Sequence, residues 1–198
     1  MLVVDNLARP GMPTVSFSIA AGRCLAVMGP SGSGKTLLLR AIADLDPSTG
    51  SIALDGADKF SVPAPDWRRR ISYVAAEPGW WATTPAEHFE DWEAAASLAD
   101  ALLLSLDLAD TPLSQLSTGE RQRFALIRAL VQTPAFLLLD EPTGPPDAAA
   151  TAATERLLRQ RLHAGTGIIL VTHDADQADR LSDNVLTLDN CKAEEGAA

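Results

Sequence analysis

The run Gly29-Pro30-Ser31-Gly32-Ser33-Gly34-Lys35-Thr36 constrains this chain more than any other stretch of it. It satisfies the pattern G-x-x-x-x-G-K-[ST] at every fixed position. Before it stands Cys24-Leu25-Ala26-Val27-Met28, which reads as a buried strand. After it comes Leu37-Leu38-Leu39-Arg40-Ala41-Ile42, which reads as the start of a helix. Strand, glycine turn and helix N-terminus together let backbone N–H groups turn inward and, with the helix dipole, hold phosphate. In this reading residues 29–36 cradle a nucleoside triphosphate. Lys35 reaches its β- and γ-phosphates, and the Thr36 hydroxyl ligates Mg2+.

Composition narrows the partners. The chain has 198 residues, which predicts a single domain, 1–198, with room for an inserted subdomain. It is 46% hydrophobic, enough for a sizeable core, and carries 16 Lys and Arg against 26 Asp and Glu, a formal net charge of −10. That balance argues against nucleic-acid binding, which needs a basic face, and against a polybasic membrane-surface protein. No stretch approaches the roughly 18 apolar residues of a membrane span, so direct membrane insertion is not expected and any membrane role runs through a partner. Cys24 and Cys191 lack C-x-x-C spacing and support neither a zinc site nor a disulfide framework. Cys24 reads as a small buried apolar residue. With no basic-plus-apolar leader at the N-terminus, a reduced cytoplasmic setting is expected. Residues 189–198 read as a polar, flexible tail.

Along the chain, residues 2–4, 15–19, 50–54 and 71–74 read as strands of a β-rich first part. Residues 85–109 turn helical and Ala/Leu-rich, and 119–132 form a second helical segment stopped by Thr133-Pro134. Together they predict a small helical subdomain over about 78–132. Residues 136–140 and 167–172 are fully apolar strand patterns, helices are expected over 148–164 and 174–181, and 184–188 is a last strand. Apolar strands alternating with helices imply a parallel sheet covered on both faces.

Four further elements follow the glycine loop in a definite order. Leu116-Ser117-Thr118-Gly119-Glu120 carries a capping box, Ser117 with Glu120 three residues on, and so a helix N-terminus that can serve as an anion site. Leu137-Leu138-Leu139-Asp140-Glu141 is an apolar strand ending in two carboxylates. Beside a phosphate loop, Asp140 suits Mg2+ and Glu141 suits the attacking water. Pro142-Thr143-Gly144-Pro145-Pro146-Asp147 is a rigid turn into the long helix. Thr172-His173-Asp174 places a histidine directly after a buried strand, where an α/β sheet delivers side chains to its ligand.

In these residues, and over nearly its whole length, the chain resembles the ATP-binding subunits of ABC transporters. Residues 29–36 match the family's Walker A loop. Leu116-Ser117-Thr118-Gly119-Glu120 is similar to its LSGGQ signature, with Thr and Glu substituted at two positions. Leu139-Asp140-Glu141-Pro142-Thr143 matches the Walker B region, Asp147 the D-loop aspartate and His173 the switch histidine. The resemblance implies a P-loop NTPase α/β fold of ABC type, with an N-terminal antiparallel β part and an inserted helical subdomain. It implies ATP and Mg2+ as cofactors, bound by residues 29–36 (Gly29, Pro30, Ser31, Gly32, Ser33, Gly34, Lys35, Thr36) with the metal on Thr36 and Asp140. Glu141 would be the catalytic base and His173 a γ-phosphate contact, with Lys35 beside them. Ser117, Thr118, Gly119 and Glu120 would act on ATP held by a second ATP-binding subunit in a head-to-tail dimer, a homodimer being the expected form. An integral membrane permease would be the other partner, placing the chain at the cytoplasmic face of a cell membrane.

The sequence departs from the family at three places. A glutamine usually follows the strand at 71–74, but Ala76 occupies its expected position, with Glu77 next to it. Losing such a group suggests a cost on the order of 10²-fold in rate. No aromatic residue in 6–13 is placed to stack on adenine; Arg9 is the candidate there, against the plainer reading of a surface arginine. Gly144-Pro145-Pro146 replaces the usual D-loop residues, and two prolines remove two N–H donors. These departures leave open a regulatory module that binds ATP but hydrolyses it weakly. Trp80-Trp81, just after the divergent loop, reads either as core or as the lining of the groove where this family receives its permease.

Overall fold

The computed structural model describes residues 1–143 and 147–189. Strands β1 (Leu2–Arg9), β2 (Met12–Ile19), β3 (Cys24–Met28), β4 (Thr49–Leu54), β5 (Ala57–Asp58), β6 (Ile71–Val74), β7 (Phe136–Asp140), β8 (Gly167–Val171) and β9 (Asn184–Thr187) form two sheets. The antiparallel sheet has the order β2-β1-β4-β5 and the other the order β6-β7-β8-β3-β9. Every pairing in the second sheet is parallel. Helices α1 (Lys35–Ile42), α2 (Ala64–Arg70), α3 (Trp92–Ala101), α4 (Thr118–Leu130), α5 (Ala148–His163) and α6 (Ala175–Leu181) complete the fold.

The central strands β7, β8 and β3 are buried on both faces because they are apolar along nearly their whole length. Alternation along a strand then sends neighbours to opposite sides. Phe136 and Leu138 of β7, Ile169 and Val171 of β8, and Leu25 and Val27 of β3 join α1 and the antiparallel sheet in one core. Leu137 and Leu139, with Ile168, Leu170 and Cys24, join α3, α4 and α5 in a second. Burial pushes the Cys24 thiol up to about 12, so it behaves as a small apolar side chain with no thiolate chemistry.

The structure differs from the sequence reading in several places. Strands β1 and β2 are longer, because the register shifts between Val4 and Leu7 break the alternation that a sequence pattern relies on. Helix α2, absent from the sequence reading, has a single apolar anchor. Trp67 is fully buried, and its Nε1 donates to the Ile42 carbonyl at 2.8 Å. Residues 85–109 are a short 3-10 turn, α3 and a second 3-10 turn. Asp91 caps the N-terminus of α3, and Leu103 just beyond it takes a positive φ of 56°.

The parallel topology brings the carboxyl ends of β3, β6, β7 and β8 to one edge. That edge carries, in order, the glycine loop, Ala75-Ala76, Asp140-Glu141 and Thr172-His173.

Candidate functional site

The glycine loop takes the conformation its sequence requires. Gly29, Gly32 and Gly34 have φ of 146°, 80° and 94°. Side chains rarely adopt such values. Gly34 is the N-cap of α1 and no side chain caps that helix, so its first N–H groups keep their donors for a ligand. Lys35 is buried, and its Nζ donates to the Gly29 and Pro30 carbonyls at 2.8 and 2.9 Å. An ammonium has three donors, so one is left for a phosphate oxygen.

Asp140 ends β7 and is only 3% exposed. The Thr36 hydroxyl donates to its Oδ2 at 2.8 Å and the Tyr73 hydroxyl to the same atom at 3.2 Å. Among the described residues no cationic side chain pairs with this carboxylate. A buried carboxylate met only by neutral donors and standing beside a phosphate loop fits a divalent cation. Among the described residues no group of three or more His, Cys, Asp or Glu could hold a metal by itself. Mg2+ needs no such cage, because phosphates and water supply most of its ligands.

Glu141 follows Asp140 in the left-handed region, with φ 49°. Two contacts hold its backbone there: its N–H donates to the Val171 carbonyl at 3.0 Å, and the buried Gln122 amide donates to its carbonyl. The side chain is thereby turned toward β8, where His173 Nε2 lies 2.9 Å from Glu141 Oε1. Both side chains are about half exposed, at 52% and 46% for His173 and Glu141. Ser31, Gly32, Gly34, Lys35, Thr36, Asp140, Glu141 and His173 line one cleft.

Ser117, Gly119 and Glu120 are elsewhere. They line a second cleft, with Arg123, Thr143 and Asp147. The capping box is complete: Glu120 N–H donates to Ser117 Oγ, and the Glu120 carboxylate accepts from the Ser117 N–H and hydroxyl at 2.8 and 2.7 Å. The Ser117 hydroxyl holds the Glu120 carboxyl below its ordinary range, helped by the backbone N–H. Asp147 caps α5 through the Ala149 and Ala150 N–H groups. Gly144-Pro145-Pro146 and, apart from Asp189, the tail expected over 189–198, with Cys191 in it, lie outside the described residues.

Arg9 is not a free surface arginine. Its guanidinium is 2.6 Å from Asp46, which Arg40 grips as well, and its side chain is 17% exposed. The two arginines hold the Asp46 carboxyl far below the usual carboxylate range, Arg40 contributing most.

The Trp80-Trp81 pair divides between the two readings. Trp80 packs against the second core, whereas Trp81 is 73% exposed. The Arg128 guanidinium lies 4.6 and 4.8 Å from the two ring centroids. His88 supports both rings edge-on, and its Nε2 accepts from the Trp81 and Ala82 N–H groups while Nδ1 faces the Thr84 carbonyl. That pattern requires a neutral ring with the proton on Nδ1. Tyr73, His88, Gln122 and Arg128 have no motif to announce them. Their roles depend on contacts between residues distant in sequence.

A glycine phosphate loop, a buried metal-ready carboxylate and a carboxylate–histidine pair at one edge of a parallel sheet define a P-loop nucleoside triphosphatase. Residues 12–144 match the ABC transporter family. The chain is 38% identical over 205 residues to a sulfate/thiosulfate import ATP-binding protein of Caulobacter vibrioides, covering 94% of this chain and 60% of that protein. It is 34% identical over 227 residues to a lipoprotein-releasing system ATP-binding protein of Rhodopirellula baltica, covering 99% and 97%. A solved dimeric ATP-binding cassette in a post-hydrolysis state with ADP and Pi superposes with a TM-score of 0.83 at 23% identity, covering 96% of each chain. The chain belongs to the ABC transporter family and is an ABC-type ATPase domain. Among the described residues no helix is long and apolar enough to cross a membrane.

Proposed function

We propose that this ATPase powers a membrane permease as one half of a head-to-tail pair that encloses ATP between two copies. The observation that carries the reading is the 2.9 Å pairing of His173 Nε2 with Glu141 Oε1 at the mouth of the phosphate loop. Glu141 takes the proton of the attacking water, and His173 orients that carboxylate and reaches the γ-phosphate. Lys35 and the N–H groups of residues 29–36 hold the triphosphate. Thr36 and Asp140 would hold Mg2+, which when bound neutralises charge on the β- and γ-phosphates. Ser117, Thr118, Gly119 and Glu120 lie away from the chain's own loop, and this separation suits service to a second copy. A carboxylate base with its histidine partner in place favours hydrolysis over a purely regulatory module. Sedimentation with ATP and Mg2+ should show the mass of two chains, falling to one as ATP is consumed. A single chain at every ATP concentration would overturn the paired site.

The permease surface is a cleft of about 560 Å³ lined by Leu45, Arg68, Tyr73, Trp80, Trp81 and Arg128 among others. Exposed aromatic side chains fixed against a cation are the usual anchors of such contacts. Docking here would hold the chain at the cytoplasmic face of a membrane. Changing Trp80 and Trp81 together to Ala should abolish co-purification with the permease in detergent while leaving basal ATP hydrolysis in place. Retained co-purification would move the docking surface elsewhere.

A further inference from the structure

The missing glutamine leaves a specific chemical gap. In the reading above, the permease cleft and the metal carboxylate sit on either side of β6, and some polar group must touch both for one to report on the other. Ala76 has no polar side-chain atom. Its carbonyl is engaged only at the limit of hydrogen bonding, 3.5 Å from Gln122 Nε2. Glu77 does not line the cleft of the phosphate loop.

One residue of β6 bridges the gap. Tyr73, three residues before Ala76, is among the β6 residues that wall the cleft holding Trp80 and Trp81, and its side chain packs on the core of α1 and the antiparallel sheet. Its hydroxyl donates to Asp140 Oδ2 at 3.2 Å, the same oxygen that accepts from Thr36. Both donors converge on Oδ2, and no donor among the described residues reaches Oδ1, so the two hydroxyls fix the carboxylate with one oxygen left for a cation or its water. Tyr73 pairs with Leu138 in the sheet register, and Val74 pairs with Leu139, so the backbone of β6 is fixed beside β7 and the phenol reaches the carboxylate from a fixed base.

We infer that Tyr73 is a positioning residue that couples the Trp80-Trp81 cleft to the metal carboxylate Asp140, in place of the glutamine absent at position 76. The inference rests on the proposed metal role of Asp140 and on the proposed docking role of the cleft. It goes beyond both by naming the group that connects them.

The test uses the whole chain and three readouts. Mn2+ serves as a paramagnetic probe of the metal site on nucleotide-loaded protein, followed by electron paramagnetic resonance. In Tyr73→Phe, which keeps the ring, Mn2+ affinity should fall roughly 10-fold or more, as for the loss of a partner that orients a metal ligand. ATP affinity in EDTA should not change. The second readout is the fluorescence of Trp80 and Trp81, identified by its loss in the double Phe variant of those two positions. Addition of Mg2+ to the ATP-bound wild type should shift this emission, and Tyr73→Phe should abolish the shift even at saturating metal. Third, Ala76→Gln placed in the Tyr73→Phe chain should restore it.

Unchanged Mn2+ affinity together with an intact Trp response would overturn the inference. A fall in Mn2+ affinity with the Trp response intact at saturation would overturn the coupling. Failure of the wild type to bind Mn2+ at all would instead refute the metal role of Asp140. A wild-type Trp signal that ignores Mg2+ would refute the link to the cleft.

Discussion

Glu141→Gln is expected to lower steady ATP turnover by roughly 10²–10⁴-fold, the span attributed to a general base. The substitution keeps the size and one acceptor oxygen of the side chain, so His173 Nε2 can still meet it at the 2.9 Å seen here. What the amide cannot do is accept the proton of water. Folding should be untouched, because the side chain is 46% exposed and the unusual backbone is held by Val171 and Gln122, not by the carboxylate. ATP affinity should stay within a few-fold of wild type, since the proposed phosphate contacts lie in residues 29–36. The variant should therefore load ATP, pair and remain paired, and sedimentation should show a persistent mass of two chains where the wild type reverts to one. Retention of more than about a tenth of wild-type turnover would place the base elsewhere. Equal, negligible turnover in both chains would favour the regulatory reading.

Much of this site is legible in the sequence because its chemistry is carried by short contiguous runs. Strand, turn and helix around residues 29–36 need only local pattern, and each apolar strand points to the polar residues at its own end. Asp140 and Glu141 are consecutive, yet their roles diverge because β7 ends between them. Asp140 is the last strand residue and is buried, while Glu141 turns out at φ 49° toward His173. No local pattern contains that turn. It is set by the Gln122 amide, 19 residues earlier in the chain, and by a carbonyl of β8.

The parts that were illegible share this cause. Tyr73 reads as an ordinary strand tyrosine until β6 is laid beside β7 and its hydroxyl meets Asp140, 67 residues away. Helix α2 lacks amphipathic repeats because one tryptophan does the anchoring, and three consecutive arginines obscure it. Arg9 reads as a surface arginine, with base stacking as the alternative, because its partner Asp46, 37 residues on, is invisible to a local reading. His88 likewise reads as a lone histidine. Only the fold gives it two backbone donors and two indole rings.

Gly34→Ala is expected to remove ATP binding, with affinity falling by 100-fold or more, and the reason lies outside the phosphate loop. A methyl group at position 34 would stand 2.5 Å from Met12 Cβ, 2.8 Å from the Gly11 carbonyl and 2.9 Å from Met12 Cα. Two of these are backbone atoms of the hairpin between β1 and β2, and Met12 is buried at 4% exposure, so neither side can give way cheaply. The left-handed φ of 94° adds strain of about 1–3 kcal/mol for a residue with a Cβ. The loop must move off the hairpin, and Lys35 and Thr36 follow Gly34 directly, so a displacement of about 1 Å misaligns both with the phosphates and costs roughly 10²-fold. Gly32→Ala is the control. Its φ of 80° carries similar strain, but its methyl would meet no protein atom within 4 Å. Affinity there should fall less than in Gly34→Ala, by about 10-fold, within the same strain range of about 1–3 kcal/mol. Titration calorimetry with ATP on both variants, alongside their melting temperatures, separates strain from collision. Equal losses at the two positions would mean that strain alone governs the loop. A wild-type affinity in Gly34→Ala would mean that the hairpin yields, and that the antiparallel sheet does not brace the phosphate site.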